Sequence, residues 1–314
     1  MKQMIWDSFR SSKNEIISID KEETHKNKIV QYQLFKLLTD EIDDHLNDKN
    51  HGLSLIKNEF NYYFVNFFDC QEKLPQTKQA AENLIIGIKF FVRVFTECLM
   101  ILYKIEELSE YLNNIYKSEQ NLFRFDNLFL FATNFIFSQR IYEIIMYSQR
   151  KFFDQKEEQI FSENLLKIKD ENIEFFEIPA QFTLNEMTLN KLQKFPEKEI
   201  ANIPYNSLIN MLTKIELMSS PIFQLKLLCQ ISEGIEKEIK GFYENCQKSF
   251  IDELDTDILL AIHIYIIAKS GIKHLISILN LIERIISEKL KMELPGYYLT
   301  LFKAAALYIK EISI

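Results

Sequence analysis

Two short stretches carry side chains able to act on a partner molecule. Asp255-Thr256-Asp257 sets two carboxylates directly ahead of the apolar run Ile258 to Ala268. Gly296-Tyr297-Tyr298-Leu299-Thr300 sets two phenols and a hydroxyl shortly before Ala304-Ala305-Ala306. A carboxylate at a helix start can pair with a cation, and a tyrosine carries a hydrogen-bonding tip on an apolar ring. Both groups also have plainer readings. Asp257 can be a first-turn acid favoured by the helix dipole, with Asp255 or Thr256 as the cap, a contribution of ~1 kcal/mol. The tyrosine pair can be turn and core packing, and Thr300 reads as an N-cap.

Nothing else in the chain points to bond-making chemistry. His263 and His274 lack ligand-spaced partners, so both read as structural and no metal site is expected. Glycine-rich phosphate loops are absent, so no bound nucleotide or other cofactor is expected. There is no serine or cysteine nucleophile with a recognisable base motif. Cys70, Cys98, Cys229 and Cys246 are scattered without paired spacing, and the polar start after Met1 has no secretory character. Free thiols in a reducing, cytoplasmic setting are therefore expected. Lys and Arg total 37 against 45 acidic residues, a formal charge of −8. That balance argues against nucleic acid and against direct binding to anionic lipid.

The elements that must position these residues read as helices. Gly and Pro number only 6 each while 47% of residues are hydrophobic, which suits neither a sandwich nor a disordered chain. The expected fold is all-α. Ile29 to Leu46 and Leu53 to Phe68 have helical spacing, and Thr77 to Tyr116 reads as one very long helix or two joined ones. Leu84 to Leu102 is apolar enough to suggest a membrane span, but Lys89, Arg93 and Glu97 fall at i, i+4 and i+8 and form a polar stripe. Ile258 to Ala268 is half a bilayer long, so neither segment spans. The polar run Lys117 to Asn121 is the expected boundary between a region 1–120 and a domain 121–314.

Further helices are expected over Leu122 to Phe153, around Phe161 to Ile168, and over Leu208 to Leu217. Phe175 to Pro179 reads as a loop. Ser220-Pro221 pairs an N-cap with a first-position proline, opening a helix with Leu225, Leu228, Ile231, Ile235 and Ile239 on one face. Gly271 supplies a left-handed stop after Lys269. Leu275 to Leu290 reads as one helix. Leu294-Pro295-Gly296-Tyr297 has the pattern of a type II turn, which puts the start of the final helix near Thr300.

Three segments taken in order resemble a known family: Ser220-Pro221 with Leu225 and Leu228; Asp257-Ile258-Leu259-Leu260 leading to Tyr265; and Gly296-Tyr297-Tyr298-Leu299-Thr300 with its alanine run. Together they resemble the exchange domain named for vacuolar protein sorting factor nine, the VPS-nine domain. Phe176-Glu177-Ile178-Pro179 is similar to the loop in that family's helical lead-in, which extends the resemblance back to about Leu122. The chain departs from the pattern at Ala261, where the family has Pro, at Gln224 in place of Lys, and at Gly271-Ile272 in place of Asn-Pro.

The resemblance implies a layered helical domain; the N-terminal helices are expected to pack on it as a bundle, because their dense Phe and Ile faces cannot stay in water. It implies a guanine-nucleotide exchange factor for Rab-type small GTPases of the Rab-five group, soluble or recruited peripherally to endosomes. It puts the acidic finger at Asp257, or at Asp255 if the register slips by two, and the key tyrosine and threonine at Tyr297 and Thr300. The competing reading is a Rab-binding adaptor or scaffold with a degenerate exchange domain.

Overall fold

The computed structural model describes residues 23–68, 74–116, 125–184, 203–245 and 254–312. Among these residues all regular structure is helical and no strand occurs, as the scarcity of glycine and proline implied. The run Lys117 to Asn121, Cys70 and Cys246 lie outside the described residues. Cys98 and Cys229 are free thiols.

The first helices are α1 (Glu23–Asn47), α2 (Gly52–Phe68), α3 (Lys78–Leu102) and α4 (Ile105–Tyr116). The periodic stretch from Thr77 to Tyr116 is thus two joined helices. Lys104 breaks it by adopting a left-handed conformation at φ 51°, a choice that costs a non-glycine residue roughly 1–2 kcal/mol. Next come α5 (Phe125–Ile136), α6 (Gln139–Gln149), a five-residue π turn at Arg150–Asp154, and α7 (Gln155–Ile168). Phe175 to Pro179 holds a short 3-10 turn, Ile173–Phe176, ended by Glu177 at φ 55°. The remainder is α8 (Asn206–Leu212), α9 (Pro221–Asn245), α10 (Thr256–Ser270), α11 (Leu275–Ile285), α12 (Glu288–Lys291) and α13 (Leu294–Glu311).

The chain divides into two compact units, each discontinuous in sequence: residues 1–58 with 94–131, and residues 59–93 with 132–314. In the first, Leu38, Ile42 and Leu46 of α1 are buried, as are Phe95 and Leu99 of α3. His45 stacks on His51 at 4.1 Å, and its Nδ1 meets the Tyr103 hydroxyl in a hydrogen bond.

The second unit contains α10, apolar around its whole circumference and therefore suited only to a buried position. Seven consecutive residues, Ile262 to Ala268, are buried. Residues before 121 contribute to this unit through α3. Glu82 pairs with Arg284 at 2.8 Å, and Lys89 Nζ donates to the carbonyls of Arg284 at 2.9 Å and Ile286 at 3.4 Å.

Several local signals hold. Ser220 Oγ accepts from Ile222 N at 3.3 Å, and α9 opens on Pro221. Gly271 ends α10 at φ 67°. Two expectations are corrected. Leu275 to Leu290 is not one helix: Ile286 turns extended at ψ 156°, and Ser287 caps the four-residue α12. Leu294-Pro295-Gly296-Tyr297 is not a type II turn but the first turn of α13, with Pro295 where a missing N–H does no harm and Tyr297 N donating to Glu293 O at 3.1 Å. Gly296 is required there by close approach, because a Cβ would lie 2.0 Å from Lys291 O.

Candidate functional site

The two aspartates ahead of α10 have different fates. Asp255 is the N-cap: its carboxylate accepts from Ile258 N at 2.8 Å, and its carbonyl accepts from Leu259 N at 3.0 Å. Asp257, one position inside the helix, is exposed and has no hydrogen-bond or ion-pair partner among the described residues. Its charge is favoured by the free N–H groups of the first turn but is not consumed by them. Behind it Ile258, Leu259, Leu260 and Ala261 are half-buried, so the carboxylate stands on an apolar ledge. Helix α10 runs unbroken through Ala261. A proline there would remove a helical N–H and clash with the preceding turn. Ala261 is thus what lets the helix begin at Thr256 and carry Asp257 within its first turn.

Helix α13 displays the second group. Tyr297 is 42% exposed, and its hydroxyl has no partner among the described residues. Its ring lies 5.7 Å from that of Tyr298, which is half-buried; burial, with Glu233 nearby, pushes the Tyr298 hydroxyl pKa up. Thr300, three residues beyond Tyr297 and on the same side of the helix, is exposed. It is not an N-cap, since α13 starts at Leu294; its Oγ1 donates back to Gly296 O at 2.8 Å. Met292, just before the helix, and Leu294, its first residue, add exposed apolar surface.

Whether these groups share an end depends on the sense of the two helices, and contacts along them decide it. His263 of α10 meets Phe302 of α13 edge to face, ring centroids 4.7 Å apart. On α7, Ser162 Oγ donates to Lys273 O, just past the end of α10, at 3.2 Å. Two residues on, Asn164 Nδ2 donates to Ile309 O, Lys310 O and Ile312 O at the end of α13, at 3.1, 2.9 and 3.3 Å. Both C-terminal ends therefore lie on one stretch of α7, and α10 and α13 run in the same sense. Asp257 lies six residues before His263 and Tyr297 five before Phe302, or ~9 and ~8 Å along their axes. The structure thus brings both to the N-terminal end of the pair.

His263 is structural, as its sequence context implied. It is fully buried. Nδ1–H donates to Leu259 O at 2.7 Å, a carbonyl that can only accept, so Nε2 accepts from Ser232 Oγ at 2.8 Å. Burial pushes its pKa down to about 4, against the pull of the Leu259 carbonyl, and the ring stays neutral near pH 7. No group of His, Cys, Asp and Glu able to hold a metal occurs among the described residues.

Gln224, at the position where the family pattern has Lys, is fully buried. Its Nε2 donates to the Tyr142 hydroxyl at 2.5 Å and to the carbonyls of Ile215 and Met218, both at 3.1 Å, tying down the turn that leads into α9. A neutral amide makes these bonds without burying a charge, at the cost of leaving its own Oε1 without a partner. No local pattern signals the pairing of Ser232 with His263, since the partners are 31 residues apart.

The family model described as the Vacuolar sorting protein 9 (VPS9) domain matches residues 205–314, from Tyr205 ahead of α8 to the end of the chain. No curated protein matches the chain.

Proposed function

We propose that this chain, which belongs to the VPS9 family through residues 205–314, is a guanine-nucleotide exchange factor for a Rab-type small GTPase. No bond is made or broken in such a reaction. A GTPase holds GDP through a P-loop lysine and Mg²⁺ on the phosphates. A carboxylate delivered to that place pairs with the lysine and competes with both phosphate and Mg²⁺. A protein that prefers the nucleotide-free GTPase must weaken nucleotide binding by the same factor.

The observation that carries this reading is the contrast between the two aspartates. Asp255 already caps α10, so Asp257 remains an unpaired carboxylate at the open end of two like-directed helices. In the proposed complex Asp257 pairs with the P-loop lysine. The Tyr297 phenol bonds a displaced switch segment, Thr300 contacts the same segment, and the half-buried turn from Ile258 to Leu260 receives apolar switch side chains. A degenerate adaptor would be expected to have these side chains buried or paired internally; Asp257 and Tyr297 are neither.

On this reading the GTPase belongs to the Rab-five group, and the chain works in endosomal traffic as a cytoplasmic protein recruited peripherally. None of the described helices is long and apolar enough to cross a membrane. The exchange unit is proposed to extend back from the matched residues to about residue 121. Release of a fluorescent GDP analogue from a panel of Rab GTPases, with and without the full chain, tests the reading. Acceleration confined to Rab-five-group members is expected. Unchanged release from every member, despite measurable binding to one, leaves the adaptor reading.

A further inference from the structure

Beyond the C-terminal end of α10, a cleft of about 580 Å³ opens between α6, the π turn that follows it, α7 and the start of α11. That is within the range of ligand pockets, roughly 300–1,000 Å³. It is remote from Asp257: His274 lies past the end of α10, whose 15 residues span ~22 Å. Met146, Tyr147 and Ile278 give its wall an apolar side.

The other side holds polar groups that the fold does not use. Glu158 is 7% exposed; its Oε1 accepts from Ser277 N at 2.6 Å, while Oε2 meets no hydrogen-bond geometry with any described residue. His274 Nδ1 is buried in the same wall and likewise unpartnered. Arg150, where the helix widens into the π turn, has no hydrogen bond or ion pair through its guanidinium among the described residues. Single π turns within α-helices are frequent at functional sites.

The remaining charges around Glu158 are already engaged. Asp154 accepts from Gln149 at 2.8 Å and from Asn280 at 3.0 Å. Across the cleft, Glu143 pairs with Arg140 at 3.2 Å, Glu216 accepts from His274 N at 3.2 Å, and Lys151 donates to the Tyr147 hydroxyl at 2.9 Å. Burial pushes the Glu158 carboxyl up to about 7, against the pull of Ser277 and Arg150. Burial, with Arg150 nearby, pushes His274 down, so its ring is neutral. Below about pH 7 the unused groups are therefore a guanidinium and a carboxylic O–H, both donors, and a neutral imidazole that can carry its N–H on either ring nitrogen.

We propose that this cleft binds a small organic oxyanion, a carboxylate or phosphate monoester carried on an apolar body. Arg150 grips the oxyanion in its fork, Glu158 and His274 add hydrogen bonds, and the body lies along Met146, Tyr147 and Ile278. A planar guanidinium suits either head group because both present paired oxygens. A cationic ligand would face Arg150 with no free acceptor except Glu158.

Isothermal titration calorimetry of the full chain tests this with phenylacetate and phenyl phosphate as probes. Inorganic phosphate serves as the head group alone and benzylamine as the opposite charge. Submillimolar binding of one aryl anion is expected, and the tighter of the two identifies the head group. Inorganic phosphate should bind at least tenfold more weakly, and benzylamine not at all. Phenylacetate is ionised at both pH 6 and pH 8, so the pH dependence of its binding reports the protein. Binding should weaken about tenfold from pH 6 to pH 8, with proton uptake at pH 8 as Glu158 regains its proton. Arg150→Gln should lose at least tenfold in affinity, and Glu158→Gln should lose the pH dependence of binding. Benzylamine binding tighter than both anions, no binding of any probe, or equal affinity in Arg150→Gln would each overturn the proposal.

Discussion

The two ends of the α10–α13 pair are built on opposite principles. At the C-terminal end the side chains that meet the two helix ends are engaged with backbone: Asn164 with three carbonyls of α13, Ser162 with the carbonyl of Lys273, and Lys269 Nζ with Lys169 O and Glu171 O at 2.8 and 2.6 Å. At the N-terminal end Asp257 and the Tyr297 hydroxyl have no partner among the described residues, and Ile258 to Ala261 stay half-open. A helix pair needs only one end tied to fix its direction. The other can then hold side chains in place without consuming them, which is what binding a partner demands. Asp255 shows the same division within one turn, since it takes the cap and leaves Asp257 free.

If this division is real, substitutions at the two ends should affect different measurements. The largest effect is expected for Asp257→Ala. Loss of a charge-assisted bond of ~1.5–3 kcal/mol corresponds to a ten- to hundredfold slower GDP release. The melting temperature should fall by no more than a few degrees, because no described residue pairs with this carboxylate and only its interaction with the helix dipole is lost. Stopped-flow release of a fluorescent GDP analogue, with melting curves alongside, reads both. A normal rate would remove the carboxylate from the mechanism.

Asn164→Ala should do the reverse. Its amide leaves three carbonyls at the tied end, and a loss on the order of 2–3 kcal/mol in denaturant unfolding is expected. Exchange by the molecules that remain folded should stay within about twofold of the wild type, which can be checked at a temperature well below the melt. A large rate loss in a stable protein would mean that the tied end also shapes the open one.

How much of this was legible in the sequence follows from how local each cause is. The Ser220-Pro221 start, the Asp255 cap and the Gly271 stop each act within four residues, and each could be read from residue type and spacing. The start of α13 could not. Pro-Gly normally signals a turn, and only the approach of Lys291 O, set by the placement of α12, makes Gly296 a helical residue. The break at Lys104 was hidden for a related reason, since nothing in a lysine announces a left-handed backbone. The residues of the candidate site were visible as a list, but their shared end was not, because it depends on Ser162 and Asn164, which lie roughly a hundred residues or more from the carbonyls they hold. Glu158 and His274 were invisible as a pair because a helix interior with one carboxylate gives no sign of which atoms lack a partner.

A pH-dependent effect is expected at Glu158, the least satisfied carboxyl of the tied end. Its folded pKa of about 7 lies above the ordinary value of 4.5. The folded state therefore holds this proton to higher pH than the unfolded chain does. Stability falls as pH rises from about 4.5 to 7 and stays reduced above that. Glu158→Gln removes the dependence and should be more stable than the wild type at pH 8 by about 3 kcal/mol. His263 acts in the opposite direction. Its pKa is depressed to about 4 from 6.5, so the unfolded chain takes up a proton first, and stability is lost as pH falls below about 6.5. In the wild type the two partly offset each other between pH 4.5 and 6.5. In Glu158→Gln the decline on acidification should therefore be steeper. Parallel curves for the two proteins from pH 8 to pH 5 would show that Glu158 carries no raised pKa.

The smallest effect, and the sharpest comparison, belongs to Asp255→Ala. Asp255 and Asp257 have the same side chain and the same helix terminus, and both are exposed. They differ in one respect: only Asp255 accepts a backbone N–H, from Ile258 at 2.8 Å. Removing the cap leaves that N–H to water and should lower stability by ~1 kcal/mol. The first turn of α10 will fray slightly more, but Asp257 remains on it. Exchange should then fall by no more than about threefold, well short of the loss in Asp257→Ala. Asp255→Asn separates charge from capping, because an asparagine oxygen caps as well as a carboxylate; it should restore the melt and leave the rate alone. If Asp255→Ala instead abolishes exchange and Asp255→Asn does not restore it, the carboxylate that reaches the GTPase is Asp255. The open end would then be working two residues earlier, with the helix start rearranged in the complex.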